Sequence, residues 1–205
     1  MKIIVIGGTG TIGKAVVESL KNEHEILVFG YKDGNHLVDL ESKKSIKNMF
    51  ADIPNIDGVI STAGMANFGP LASQSDTDYN LALNNKLMGQ VNLVRIGMHH
   101  LNSDGFIILT SGMLAHTPMP GSSSVSMVNA GLEGFVKAAA LEMPNNIKVN
   151  IVSPVFVKET MEMMGMDSTS GTSAADTANV YSSAISLKES GTVLDVAHFL
   201  NTTKR

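Results

Sequence analysis

Short runs of β-branched and other apolar residues alternate along the chain with longer stretches whose apolar positions return every third or fourth residue. The short runs are Lys2–Ile6, Glu25–Phe29, His36–Leu40, Asp57–Ser61, Phe106–Thr110, Lys148–Ser153 and Gly191–Val196, and they predict seven strands. Several are apolar at consecutive positions, so helices are expected to cover both faces. Between Asp76 and Leu101, the residues Leu83, Leu87, Val91, Val94 and Met98 fall on one stripe of a long amphipathic helix. Val125, Val128, Leu132, Phe135 and Ala139 form the same kind of stripe on a second helix. Repeated strand–helix–strand units with right-handed crossovers predict a doubly wound α/β fold around a parallel sheet. No internal repeat or Pro/Gly-rich linker interrupts the pattern, so one domain is expected over residues 1–205. The stretch "GMDSTSGTSAADT" (Gly165–Thr177) has loop composition and is expected to be mobile.

Composition narrows the function classes. The 205 residues are 43% hydrophobic and 17% charged, a globular balance. A net charge of −4 gives no basic footprint for nucleic acid, and the tail "TTKR" is too short to supply one. Without cysteine, the chain forms no disulfide, thiolate nucleophile or Cys-bound metal site. No apolar run approaches the ~18 residues that span a bilayer, and "MKIIVIGGTG" reads as a first strand rather than a signal peptide. A cytoplasmic protein acting on a small molecule is the expectation, with no membrane or nucleic-acid partner. No metal is expected either: His99 and His100 sit about 100° apart around a helix, not at ligand-pair spacing. The 13 methionines read as adaptable filler for core and pocket.

The segment "VIGGTGTIGKAVVESL" places Gly7, Gly10 and Gly13 between the first strand and the first helix. A helix N-terminus presents unpaired N–H groups and partial positive charge, and glycines let a pyrophosphate approach the backbone. Because this turn follows a strand and opens a helix, it predicts a dinucleotide site. The second strand runs into "FGYKDG", where Lys32 offers a cation for a 2′-phosphate. That favours NADP(H) over NAD(H), whose ribose 2′-OH is usually met by a carboxylate.

Further segments, in order, resemble the short-chain dehydrogenase/reductase family over nearly the whole chain. "GGTGTIG" resembles its glycine-rich turn, "VDL" (Val38–Leu40) its adenine-side segment, and "STAG" (Ser61–Gly64) its Asn-Asn-Ala-Gly element. "ILTSG" resembles the fifth-strand end that carries the catalytic serine, and "IKVNIVSPVFVKET" the segment that closes over the nicotinamide. The resemblance implies a Rossmann-type sandwich of seven parallel strands in the order 3-2-1-4-5-6-7, binding a nicotinamide dinucleotide. Position by position, it implies cofactor contacts from Gly7, Thr9, Gly10, Thr11, Ile12 and Gly13, then from Tyr31, Lys32, Asp39 and Leu40. Ser61, Ala63, Gly64, Asn129 and Pro154 complete that set.

The family's reductive chemistry uses a tyrosine and a lysine four residues apart on one helix, with a serine and an asparagine. Here Tyr31, Tyr79 and Tyr181 are followed four residues on by Asn35, Leu83 and Ile185, so no Tyr-x-x-x-Lys is present. In register, Val125 stands at the tyrosine position of "GSSSVSMVNAGLEGF" and Asn129 at the lysine position. Lys86 of "KLMG" stands at the asparagine position, and Pro154-Val155 replaces the family's Pro-Gly. Ser111 is retained. Ser111 and Lys86 are thus the catalytic candidates, Ser111 to polarise an acceptor and Lys86 to supply a proton, unless Lys86 is merely a solvated or anion-binding lysine. His116 is a second candidate acid, against its reading as a solvated loop histidine. Ser122, Ser123, Ser124 and Ser126 suit helix capping or pocket lining.

Two functions follow. One is an atypical NADP(H)-dependent oxidoreductase acting on a small carbonyl or related acceptor. The other is a catalytically inactive NADP(H)-binding sensor or regulator. The small residues Ala130, Gly131, Gly134 and Ala138 allow close helix–helix approach, and the family's usual long-helix packing implies a homodimer or homotetramer.

Overall fold

The computed structural model describes residues 1–203; Lys204 and Arg205, the basic end of the tail, lie outside the described residues. Seven strands, β1 (Lys2–Ile6), β2 (Glu25–Gly30), β3 (His36–Leu37), β4 (Ile56–Ser61), β5 (Leu101–Thr110), β6 (Lys148–Ser153) and β7 (Val193–Asp195), make one sheet. Its order is β3-β2-β1-β4-β5-β6-β7 and every neighbouring pair is parallel, as expected. The order reverses between β1 and β4, and a sheet of this kind opens a ligand crevice at the carboxyl ends beside that point.

Alternation along the strands supplies both cores. On β1, Ile4 and Ile6 join a cluster with α2 (Lys43–Ala51), α4 (Gly89–Gly97) and α5 (Ser123–Ala139). Ile3 and Val5 point the other way, into a cluster with α1 (Thr11–Leu20), α7 (Ala174–Ile185) and α8 (Val196–Thr203). Each of these fully buried apolar side chains stabilises the fold by about 1.5–3 kcal/mol. The consecutive apolar positions that made the strands visible in the sequence are thus a consequence of cover on both faces.

Several boundaries differ from the sequence reading. β3 stops at Leu37 because Asp39 turns the chain: its Oδ1 accepts the Glu41 N–H, and its own N–H donates to Ser45 Oγ of α2. β5 begins at Leu101, ahead of the apolar run, with an irregular register against β4 between Ile56 and Gly58. β7 is confined to Val193–Asp195 because Val196 already opens α8. The loop expected through Thr177 ends earlier, since Ser173 caps α7 by accepting the Asp176 N–H. Before it, α6 (Lys158–Met163) leads into a loop whose ends are held by a Val157–Thr172 bridge and by Glu159 accepting the Ala174 N–H.

The long helix also departs from a single α-helix. It runs as α3 (Asp76–Leu81), a seven-residue π segment (Ala82–Met88) and α4. Ser75 and Asp78 form a capping box at its start. The wider π turn changes which side chains face the sheet, and π segments recur at functional sites. This one carries Lys86. Among the described residues, no helix is long and apolar enough to cross a membrane.

Candidate active site

The glycine turn forms the first wall of the crevice. Gly7 has φ +78°, and a Cβ there would lie 2.9 Å from both the Ala63 backbone N and Thr62 Oγ1. A Cβ on Gly13 would lie 2.0 Å from the Gly7 carbonyl oxygen, so Gly13 sets how closely α1 approaches β1. Gly10 is the N-cap of α1, and no side chain caps its first turn. That exposed end borders a groove of about 910 Å³ that touches Thr9, Gly10, Thr11 and Lys14 on one side and Ala174 and Asn179 of α7 on the other. Bare N–H groups at a helix start, with backbone approach kept open by glycine, fit the phosphates of a dinucleotide.

At the end of β2, Tyr31 and Lys32 are exposed, with the Lys32 ammonium 5.7 Å from the Tyr31 ring centroid. Among the described residues no carboxylate pairs with Lys32. Asp39 is half-buried, whereas Leu40 is buried and packs so closely that a Cβ on Gly89 would lie 2.8 Å from the Leu40 Cβ. Ser61 presents no exposed hydroxyl: its side chain is fully buried, and its Oγ has no partner. It serves instead through its backbone carbonyl, which accepts the Thr110 hydroxyl at 2.6 Å. Ala63 is half-buried against Gly7.

The second wall is a cavity of about 270 Å³ at the ends of β4, β5 and β6. It brings together Lys86, Ser111, Asn129, Val125, Pro154, Gly64 and Ile12. Lys86 reaches it across Gly64, where any Cβ would stand 2.8 Å from the lysine Cγ. The Lys86 Nζ donates to the Ser111 carbonyl oxygen at 3.2 Å, and desolvation by the surrounding protein lowers its pKa to about 8. The solvated-surface alternative for Lys86 is thereby overturned. One turn on, Gln90 is fully buried; its amide accepts from the Thr110 N–H and donates to the Thr110 carbonyl, both at 2.9 Å. Gln90 thus fixes the helix that carries Lys86 to the strand end that carries Ser111, a contact the sequence reading missed.

Asn129 is buried behind Ser111. Its Nδ2 donates to the Gly112 carbonyl at 3.3 Å, while its Oδ1 has no partner. A buried acceptor with nothing to accept is costly, and this one lines the cavity. It therefore fits a ligand hydroxyl such as that of a ribose. The Pro154 carbonyl accepts the Met113 N–H and holds the loop after β5 over the same cavity.

No tyrosine lines this cavity. Tyr31 is exposed, Tyr79 is bonded to Ser123 Oγ, and Tyr181 is buried beneath the sheet against the Thr110 hydroxyl at 2.6 Å, its pKa raised by desolvation. The serines at the start of α5 neither cap the helix with a side chain nor line the cavity. Ser122 Oγ bonds Met119 and Ser126, while Ser124 Oγ donates to the Asn67 carbonyl and pins a neighbouring loop.

Ser111 lines the cavity, but its hydroxyl donates to Glu133 Oε1 at 2.9 Å. Glu133 is buried, and its Oε2 lies 2.6 Å from Nε2 of the largely exposed His116. Sequence reasoning gave Glu133 no role. The available signal was its place on α5 four residues beyond Asn129 and eight beyond Val125, on the face where the resemblance would put the family's active-site pair. His116 does not line the cavity; its ring contacts Glu133, which in turn bonds Ser111. Among the described residues no cluster of metal-ligating side chains is present.

Comparisons with known proteins agree with this architecture. The family model described as enoyl-(acyl carrier protein) reductase matches residues 11–201. The 3-oxoacyl-[acyl-carrier-protein] reductase FabG of Aquifex aeolicus is 28% identical over 78% of this chain, and the match spans 65% of that enzyme, just under two thirds of its length. The FabG of Buchnera aphidicola is 27% identical over 96% of this chain and 86% of its own. Among solved structures, the protein lin1944 of Listeria innocua superposes with a TM-score of 0.91 at 32% identity, covering 96% of this chain and 99% of that one. A small-chain dehydrogenase solved in complex with NADPH superposes with a TM-score of 0.84 at 28% identity over 95% of both chains. With the seven-stranded order, the glycine turn and the serine at the end of β5, these matches place the chain in the short-chain dehydrogenase/reductase family of oxidoreductases.

Proposed function

We propose that this chain is a single-domain NADP(H)-dependent reductase of small carbonyl compounds in which Lys86 takes over the proton-donating role of the family's tyrosine. The observation that carries the reading is the lysine's position: its ammonium end lies in the β4–β6 cavity, on the Ser111 carbonyl. The glycine turn, Asn129 Oδ1 and the unpaired Lys32 are the groups that would hold the pyrophosphate, a ribose hydroxyl and a 2′-phosphate. The NADPH bound by a relative at 28% identity supports the choice of cofactor. When bound, the reduced nicotinamide supplies hydride to a carbonyl carbon.

The chain's own task is the oxygen. Lys86 stabilises its developing negative charge and then gives it a proton, leaving a neutral amine and a product hydroxyl. A pKa near 8 suits this work, because the amine is still protonated near neutral pH yet gives up its proton more readily than a solvated lysine. Ser111 holds the acceptor on the opposite side. On α5, Ala130, Gly131, Gly134 and Ala138 are exposed, and a Cβ on Gly134 would meet nothing within 4 Å. That open strip supports a homodimer or homotetramer packed helix to helix.

A second reading, an NADP(H)-binding sensor without turnover, draws on two observations: no tyrosine lines the cavity, and the Ser111 hydroxyl is engaged by Glu133. The readings separate in one experiment. Protein is titrated with NADPH by fluorescence, and NADPH oxidation is then followed against a panel of aldehydes, ketones and quinones. The reductase reading expects binding and turnover, with turnover lost in Lys86→Ala. Binding without turnover on any acceptor favours the sensor, and failure to bind overturns both.

A further inference from the structure

Glu133 is a buried carboxylate that the reaction as described so far leaves unused. It touches Ser111 through one oxygen and His116 through the other, at 2.9 and 2.6 Å. Ser111 faces the cavity, and His116 faces solvent with 58% of its side chain exposed. A buried carboxylate surrounded only by apolar groups would be a burden on the fold; here it bridges a solvent-exposed base and a hydroxyl at the reacting centre. We propose that His116, Glu133 and Ser111 form the path by which protons pass between solvent and the cavity. The inference rests on the reductase reading and adds what that reading lacks, a way to restore the Lys86 ammonium once it has given its proton away.

The chain of transfers balances. After protonating the product oxygen, Lys86 is a neutral amine lying on the backbone carbonyl of Ser111. Lys86 and Ser111 line one cavity, so the Ser111 O–H bond breaks toward a water in that cavity, which passes a proton on to the amine, while the Ser111 oxygen takes a proton from Oε1 of the Glu133 carboxyl group. The resulting carboxylate takes a proton at Oε2 from the Nε2–H of a neutral His116 ring, while Nδ1 of that exposed ring takes one from bulk water. One proton has then moved from solvent to Lys86, and a half-turn of the Glu133 carboxyl together with a flip of the exposed His116 ring resets the path. The same path explains the orientation of Ser111. While Glu133 is ionised it accepts the serine hydrogen, and once protonated it donates back and frees that hydrogen for the cavity. Glu133 and His116 are positioning residues in this scheme, acting only through Ser111.

The test uses the full chain with NADPH and a carbonyl that the wild type reduces. His116 is exposed, so His116→Ala is expected to fold and to bind NADPH as the wild type does, with a melting temperature lowered because buried Glu133 loses one of its two partners. Its kcat is expected to fall by about 10²-fold, the low end of what a positioned proton-transfer group contributes, with KM for the carbonyl unchanged. Added imidazole, which can occupy the vacated surface position, is expected to restore kcat in a concentration-dependent way. Glu133→Gln breaks the path one step further in, so it should lose at least as much kcat and gain nothing from imidazole. If His116→Ala keeps wild-type kcat, or if imidazole restores Glu133→Gln as well as His116→Ala, the relay is wrong while the reductase reading stands. Absence of turnover in the wild type on every carbonyl would overturn the reductase reading, and the relay with it. Should Glu133→Gln fail to fold, the His116→Ala rescue decides alone.

Discussion

On the β1 side of the crevice, Gly7, Gly10 and Gly13 leave bare backbone, and an added Cβ at Gly13 would lie 2.0 Å from a carbonyl oxygen. On the β5 side the space is filled by polar side-chain ends from three elements: Lys86 from the π segment, Ser111 from the end of β5, and Asn129 from α5. The first wall depends on backbone geometry that only glycine allows. The second depends on which side chains are brought together, and there Val125 and Asn129 line the cavity from α5 while a lysine arrives from the π segment. Backbone cradles tolerate little change, whereas a side-chain constellation can be rebuilt from neighbouring elements provided the same groups reach the same space. Cofactor binding and catalysis are therefore expected to respond separately to mutation.

The largest separation comes from Lys86→Met. It keeps the stem that packs on Gly64 and removes the ammonium, so kcat is expected to drop by about 10²–10⁴-fold. NADPH affinity, measured by fluorescence titration, should stay where it was. Gly13→Ala is the converse. Forcing a methyl against the Gly7 carbonyl costs about 1–3 kcal/mol or more by the usual penalty for overpacking. Thermal unfolding should move down accordingly and NADPH binding should be lost, whatever remains of the β5 side. If Gly13→Ala binds NADPH normally, the backbone wall is not the cradle described here.

Lys32→Ala tests a finer feature of the first wall. A charged hydrogen bond to a 2′-phosphate is worth about 1.5–3 kcal/mol, so the preference for NADPH over NADH should shrink by tenfold or more, with NADH binding unchanged. Lys86 also carries a stability effect of its own. Burial lowers its pKa in the folded chain to about 8 from an ordinary 10.5, so between those values the unfolded chain binds more protons than the folded one. Stability is then expected to rise with pH from about 8 to about 10.5, and Lys86→Met should abolish that rise in denaturant titrations. The smallest effect on the fold belongs to Gly134→Glu, whose side chain meets open space within its own subunit. It should leave the melting temperature of the subunit nearly unchanged and shift sedimentation toward monomer.

The sequence made some of these features visible and hid others for physical reasons. β1 and β6 were legible to the residue because short runs rich in Val and Ile mark strands covered on both faces. β3 was overextended because the Asp39 turn depends on a side chain bonding Glu41, which hydrophobic patterning does not record. Lys86 could be placed at a family position, but the π segment that delivers it into the cavity leaves no compositional mark. Glu133 was the least legible of all. Its partner Ser111 is 22 residues away, and their meeting depends on how α5 lies across the end of β5. Only its spacing of four from Asn129 on an otherwise apolar stripe hinted that it faced the site.

The most direct test of the central claim is the pH dependence of kcat/KM for carbonyl reduction, which reports groups of the free enzyme. With Lys86 as the donor, the protonated ammonium is the active form and its pKa lies near 8. The limb assigned to it should therefore fall as pH rises through about 8, and that fall should vanish in the residual activity of Lys86→Met. A rate that stays level to pH 10, or a fall through 8 that survives in Lys86→Met, would contradict the assignment of Lys86 as the proton donor.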